Sequence, residues 1–317
     1  MIIISFQLGR YPITPKEVLG ISLSKLFPIE RFWTDRVEIV LINIRLPRII
    51  LACLVGCCLS AAGAAYQGVF QNPMAAPDIL GASAGAAFGA ALAIHNYGSS
   101  LMIMVSAFFF SLLTVTIVYL ISKKVKGNSI LGLILSGIIV GSLFSAGTSY
   151  IKLVADPNDQ LPAITYWLMG SLAGAKLSDV KFVVIPMAIG LIPLLLLRWR
   201  MNILTMGDDE ARTMGVNAHL IRFVVIISST LTTAASVSVS GMIGWVGLVI
   251  PHLARKIVGN NYSYLIPASV LCGAIFLLLV DNVSRNFFTT EIPLGILTAV
   301  IGAPFFIYLI TRKGDDF

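Results

Sequence analysis

The chain has 317 residues, of which 57% are hydrophobic and 12% charged, with a formal net charge of +7. Soluble domains carry about 25% charged residues, so half that level, at a mean hydropathy of +0.91, excludes a soluble fold. The positive balance does not point to nucleic acid, because the basic residues lie in loops between apolar runs, which is a pattern of membrane topology.

Apolar runs of roughly 20 residues, the length of a spanning helix, recur along the whole sequence. They are continuous, whereas a transmembrane barrel needs short alternating segments. The fold class is therefore an all-α polytopic membrane protein, with residues 1–317 as one transmembrane domain. Cys53, Cys57, Cys58 and Cys272 all sit inside apolar runs, so neither a metal site nor a disulfide is expected of them.

In chain order, residues 1–8 are apolar but too short to span. Either the first helix is truncated or the chain starts on the outer side; a signal peptide would need a basic flank and a cleavage site. Residues 9–45 read as a mixed polar loop with Pro12, Pro15 and Pro28. Spans follow at 47–70, 79–94, 101–121, 130–153, 180–197, 220–239, 241–258, 262–281 and 292–310, with a partial interfacial helix within 160–172. A completed first helix brings the total to about ten.

Charge orients these spans. Lys123, Lys124, Lys126, Arg198, Arg200, Arg212, Arg222, Arg255, Lys256, Arg312 and Lys313 fall in one set of loops. The alternate set holds only Lys152, Lys176, Lys181 and Arg285 after the N-terminal loop. Basic residues stay cytoplasmic, which puts the C-terminus inside. The N-terminal loop then lies outside, yet it carries Arg10, Lys16, Lys25, Arg31, Arg36, Arg45 and Arg48, against the rule.

Several segments stand out from ordinary spans. Residues 67–81, QGVFQNPMAAPDILG, read as a helix end, a break and a new start, with Pro73 and Pro77 as breakers and Asp78 as a cap. Residues 201–222 form the longest cytoplasmic loop, suited to two short helices that dock into a partner's groove. Residues 241–255, GMIGWVGLVIPHLAR, carry a Pro-His pair within an apolar run. His252 reads as structural or interfacial, with a proton relay as the sharper alternative. Residues 281–295 hold Asp281, Arg285 and Glu291, read as a salt-bridged turn. No catalytic triad order, HExxH or nucleophile elbow is present, and no GxxxxGK[ST], so the chain is no enzyme and ATP hydrolysis must reside in another chain.

Together these strings resemble the FecCD-type permeases of ATP-binding-cassette (ABC) importers, the group that includes vitamin B12, haem, iron-siderophore and molybdate permeases. The matching segments are IRLPR at 44–48, residues 60–81, YWLMGSL at 166–172, residues 201–216, residues 241–255 and residues 291–309. The resemblance implies a B12-permease-like type II importer fold, a homodimer with the pore on its axis, two cytoplasmic ATPase subunits and a periplasmic substrate-binding protein. It places the chain in a bacterial or archaeal inner membrane, with no cofactor, no metal and no nucleic acid. Thr205, Met206, Gly207, Ala211, Met214, Gly215 and Val216, in the coupling loop 201–217, match the ATPase-coupling segment. Arg45, Arg48 and Arg285 match arginines that pair with glutamates of the binding protein. Asn128 and Ser129 match the cytoplasmic gate, and Ser142, Ser145 and Ser149, at helical spacing, match the pore-lining helix.

An ion-coupled secondary transporter is the competing class, and it would need carboxylates deep in the spans, where the sequence has almost none. An intramembrane enzyme would need a catalytic set. The cargo stays open between a metal chelate (iron-siderophore, haem or cobalamin) and the oxyanions molybdate and tungstate.

Overall fold

The first apolar core element is one unbroken helical rod from Asp35 to Val69, longer than any span expected from the sequence. Its 35 residues reach roughly 50 Å at 1.5 Å per residue, against a hydrocarbon core of about 30 Å. A computed structural model of the chain describes residues 1–9, 11–24, 27, 30–125, 129–287 and 290–311; at 129, 208, 209, 212, 309 and 310 it describes the backbone alone.

Before the rod come α1 (Ile2–Gln7) and α2 (Pro15–Ser24). The region expected to be a polar loop is thus partly helical. The reason is local: Thr14 and Glu17 form a reciprocal capping box around Pro15, with Thr14 N donating to Glu17 Oε2 at 2.8 Å and Glu17 N to Thr14 Oγ1 at 3.3 Å. The rod itself comprises α3 (Asp35–Ile39), a π-helical turn (Val40–Arg45) and α4 (Leu46–Val69). Ile13, Val18, Ile21, Trp33, Val37 and Leu41 join α2 to the projecting end of the rod in a small core of their own.

After a 3-10 turn (Pro77–Leu80) come α5 (Ala82–His95), α6 (Ser100–Ser122), α7 (Ser129–Val154), α8 (Gln160–Leu168) and α9 (Leu177–Leu196). Two short helices, α10 (Arg198–Leu204) and α11 (Asp208–Thr213), lead into α12 (Ala218–Ser240), α13 (Val246–Val258), α14 (Tyr262–Asn286) and α15 (Leu294–Thr311). Among the described residues every regular element is a helix. Among the same described residues, six helices are long and apolar enough to cross a membrane, and two shorter apolar ones accompany them.

The expected span at 241–258 starts late. Gly241 closes α12 at φ +66°, Trp245 has φ +70°, and helix resumes only at Val246. Hydropathy could not reveal this, since the break is as apolar as its flanks.

Burial sorts the helices. The Asp35–Val69 rod and α12 are mostly buried, whereas α6, α7 and α9 leave most of their surface uncovered. The rod's second half and α12 form the centre, and composition explains why. A Cβ on Gly56 would overlap the carbonyl of Gly273 on α14, and one on Gly63 would overlap the carbonyl of Gly247 on α13. Only glycine permits backbones so close. Several hydroxyls of α12 bond within their own helix, as Thr233 Oγ1 donates to Ser229 O at 2.8 Å and Ser236 Oγ to Thr232 O at 2.7 Å. Tyr66 and Thr230 join α4 to α12 by a buried 3.0 Å hydrogen bond.

Helices α4 and α14 run antiparallel. Arg48 near the start of α4 meets Asp281 near the end of α14, and Gly68 near the end of α4 lies against Tyr262 at the start of α14. This pair fixes two opposite ends of the bundle, an Arg48 end and a Tyr262 end.

Candidate functional site

At the Arg48 end four charges from two regions of sequence are gathered. Arg48 Nε donates to Asp281 Oδ1 at 2.8 Å, and Nη1 donates to Glu291 Oε2 at 2.8 Å. Arg285, one turn after Asp281 on α14, places its Nε 3.1 Å from Asp281 Oδ2. Its Nη2 donates to Asn282 Oδ1, and Asn282 Nδ2 donates to Ser5 Oγ at 2.7 Å. The set is two arginines against two carboxylates. Arg45 stands beside it and donates to the backbone carbonyls of Phe6, Gln7 and Tyr11.

The three arginines that the resemblance matches to docking are all covered in this structure. The side chains of Arg48 and Arg285 are 4% and 7% exposed and Asp281 is 0% exposed, while Glu291 retains 31%. Arg45 is buried too. The physical reason is the internal counter-charge: a buried guanidinium is tolerable when paired, and the acids come from 233 and 243 residues further along the chain. Asp281, Arg285 and Glu291 were read as a local salt-bridged turn; Arg48 as their shared partner carries no short-range sequence signal.

The opposite end carries α10 and α11, the two short helices expected from residues 201–222. They are anchored by polar side chains. Gln71 Nε2 donates to Leu204 O at 2.8 Å, and Tyr262 N donates to Asn202 Oδ1 at 2.8 Å. Asn202 Nδ2 also donates to Asn261 Oδ1 at 2.9 Å. Gln71, Asn202 and Asn261 were missed by motif reading; their types invite hydrogen bonding, but nothing in the sequence pairs them.

Of the candidate coupling residues, Thr205, Met206, Met214 and Gly215 are exposed and Gly207 and Val216 are half-buried. Ala211 is fully buried and belongs to the main apolar core. Its small side chain seats α11 rather than meeting a partner. Met206 at 60% and Met214 at 57% exposure leave two large apolar side chains uncovered on the connections flanking α11.

On α7, Ser142, Ser145 and Ser149 are exposed on one face, as their spacing requires. Ser142 Oγ donates to Ile138 O at 2.8 Å and Ser149 Oγ to Ser145 O at 3.0 Å, so these two hydroxyls are satisfied within the helix. Ser136 faces inward, and a Cβ on Gly137 would overlap the carbonyl of Ile79, so that side packs on the 3-10 turn. The side chain of Ser129 and the whole of Asn128 lie outside the described residues.

Asp78 does not cap the next helix, since its Oδ1 accepts from Ser83 Oγ and Gly81 takes the N-cap position. His252 places Nδ1 3.1 Å from Leu248 O and its ring edge-on to Phe306, a packed position beside the break at Trp245. Among the described residues no three or more His, Cys, Asp or Glu side chains converge in a way that could hold a metal ion.

Long apolar helices around a glycine-packed centre, with charge buried at one end and short connecting helices at the other, define a polytopic membrane permease. Residues 1–312 match the model of the FecCD transport family, and the chain belongs to that family. It is 41% identical over 317 residues to the molybdate import system permease protein MolB of Haemophilus influenzae, covering 98% of this chain and 93% of that protein. It is 42% identical over 275 residues to an iron chelatin transport system permease protein of Helicobacter pylori, covering 87% and 83%. A solved inward-facing metal-chelate type ABC transporter superposes with a TM-score of 0.88 at 38% identity, covering 98% of this chain and 95% of that one. The chain is thus the permease subunit of an ABC importer.

Proposed function

We propose that two copies of this chain form the translocation pathway for a metal chelate or an oxyanion of the molybdate class, driven by two separate ATPase subunits. The observation that carries this reading is the α10–α11 connection. It is pinned to the bundle through Gln71 and Asn202, and it offers Met206 and Met214 to an apolar groove. Pinning matters, because a loose loop would absorb the push of an ATPase instead of passing it to α4 and α14.

In this reading the Tyr262 end is cytoplasmic, in accord with the basic residues at Lys123, Arg198, Arg200 and Arg255. The C-terminus is cytoplasmic as well. The Arg48 end faces the periplasmic binding protein, with Arg45, Arg48 and Arg285 as the cationic ground of docking. The α7 face bearing Ser142, Ser145 and Ser149 lines the pathway, and Asn128 and Ser129 belong to its inner gate. The chain performs no covalent chemistry.

An ion-coupled transporter needs a carboxylate free to load and release an ion. The carboxylate buried in α14, Asp281, is instead paired with Arg48 and Arg285. Relatives named for molybdate and for iron chelatin support both cargo classes for this chain.

Reconstituted uptake tests the proposal. Proteoliposomes carrying the permease, its ATPase and its binding protein are expected to accumulate labelled molybdate or a ferric chelate only with ATP, and to stop with vanadate. Accumulation driven by an ion gradient without the ATPase would overturn it.

A further inference from the structure

Arg48 has two carboxylate partners of different standing. Asp281 is fully buried and also meets Arg285. Glu291 sits on the turn before α15 and is 31% exposed, while the guanidinium it covers is 4% exposed. Of the two carboxylates on Arg48, Glu291 is thus the one that solvent, and an acidic group arriving from outside, can reach.

We infer that Glu291 is an internal stand-in for a carboxylate of the docking partner, filling the outer anion position on Arg48 until an acidic side chain of the binding protein replaces it. The inference rests on the proposed docking at the Arg48 end. Its physical basis is the cost of an unpaired buried charge: stripping one partner from a buried pair is severe. Exchange of one carboxylate for another leaves Arg48 with two at both ends of the process. Docking by simple addition would ask a covered guanidinium to accept a third.

The exchange has a mechanical consequence. The turn carrying Glu291 is held by Ser284 Oγ donating to Ile292 O at 2.6 Å. Immediately after it, Leu294 N donates to Gly170 O at 2.7 Å and Gly295 N to Met169 O at 3.1 Å. The first turn of α15 is therefore bonded to the end of α8. Releasing Glu291 frees the turn from α4 and loosens the start of α15 where it touches the α8–α9 connection. The binding protein's arrival is thereby transmitted to α8 without its touching either helix.

The test is equilibrium binding of the cargo-free binding protein to the permease–ATPase complex in nanodiscs. Glu291→Gln keeps the side-chain size and removes the competing charge, so Kd is expected to fall about fivefold, and Glu291→Ala should act in the same direction. An unchanged or higher Kd in both variants overturns the exchange. The wild-type complex offers a readout that needs no variant: the Leu294 and Gly295 amides should exchange hydrogen faster when the binding protein is bound, and unchanged or slower exchange contradicts the release. Arg48→Gln separates the two levels. If it weakens binding while the Glu291 variants do not tighten it, docking at Arg48 stands and the exchange fails. If it leaves binding unchanged, the docking reading itself fails.

Discussion

The two ends of the bundle solve opposite problems. At the Arg48 end, charges are drawn inside and paired with one another, so that Arg48, Asp281 and Arg285 are nearly covered. At the Tyr262 end, apolar side chains are left outside, with Met206 and Met214 both more than half exposed. The first surface has to exchange contacts before it can bind a charged partner. The second has only to add them, because an exposed apolar side chain gains by being covered. That contrast suits a partner that comes and goes at one end and a subunit that stays at the other.

The largest break in this contrast should come from Asp281→Asn. It leaves Arg48 with Glu291 as its carboxylate partner and takes from Arg285 the carboxylate it meets. A loss of about 3–5 kcal/mol is expected for a broken buried pair, read as a collapse of monodisperse yield or of the unfolding midpoint in detergent. Full stability in this variant would mean that the network does not hold the Arg48 end together. Gly63→Val tests the centre on which both ends depend. Its side chain meets the Gly247 backbone, and overpacking costs about 1–3 kcal/mol. Thermal unfolding should shift downward, and an unchanged midpoint would deny the α4–α13 contact.

The fold was largely legible, and its illegible parts share a cause. Spans at 101–121, 130–153 and 220–239 match α6, α7 and α12 closely, because an apolar run of membrane length has few alternatives. The capping box at Thr14–Glu17 is present in the sequence, but Pro12, Pro15 and Pro28 around it give the region the composition of a loop. The break at 241–245 was not legible, since burial in protein lets an apolar stretch leave the helix without any change of composition. At the candidate sites, the Met206 connection and the α7 serines rest on the family resemblance, and spacing adds only that Ser142, Ser145 and Ser149 share one helix face. Neither could foresee that Ala211 is buried, or that Arg48 finds Asp281 across 233 residues. Such pairings are made by the packing of α4 on α14, which no local pattern encodes.

Smaller effects sharpen the contrast further. Met206→Glu combined with Met214→Glu places charge on the exposed apolar patch without disturbing the core. ATPase association should weaken about tenfold, on the order of 1.4 kcal/mol, while thermal stability stays near wild type. Unweakened association would remove this surface from the partner contact. The smallest change is expected from Ser142→Ala with Ser149→Ala. Both hydroxyls already donate to their own helix, so uptake should change by less than about twofold. A collapse of uptake would show that these hydroxyls bind cargo directly.

The most direct measurement is site-specific cross-linking in the assembled complex. In a background free of Cys53, Cys57, Cys58 and Cys272, Met214→Cys is paired with a bifunctional reagent in membranes holding both partners. The expected product is a permease–ATPase adduct whose yield changes with nucleotide. An adduct with the binding protein, or none with the ATPase, would contradict the assignment of the Met206 and Met214 surface to the ATPase.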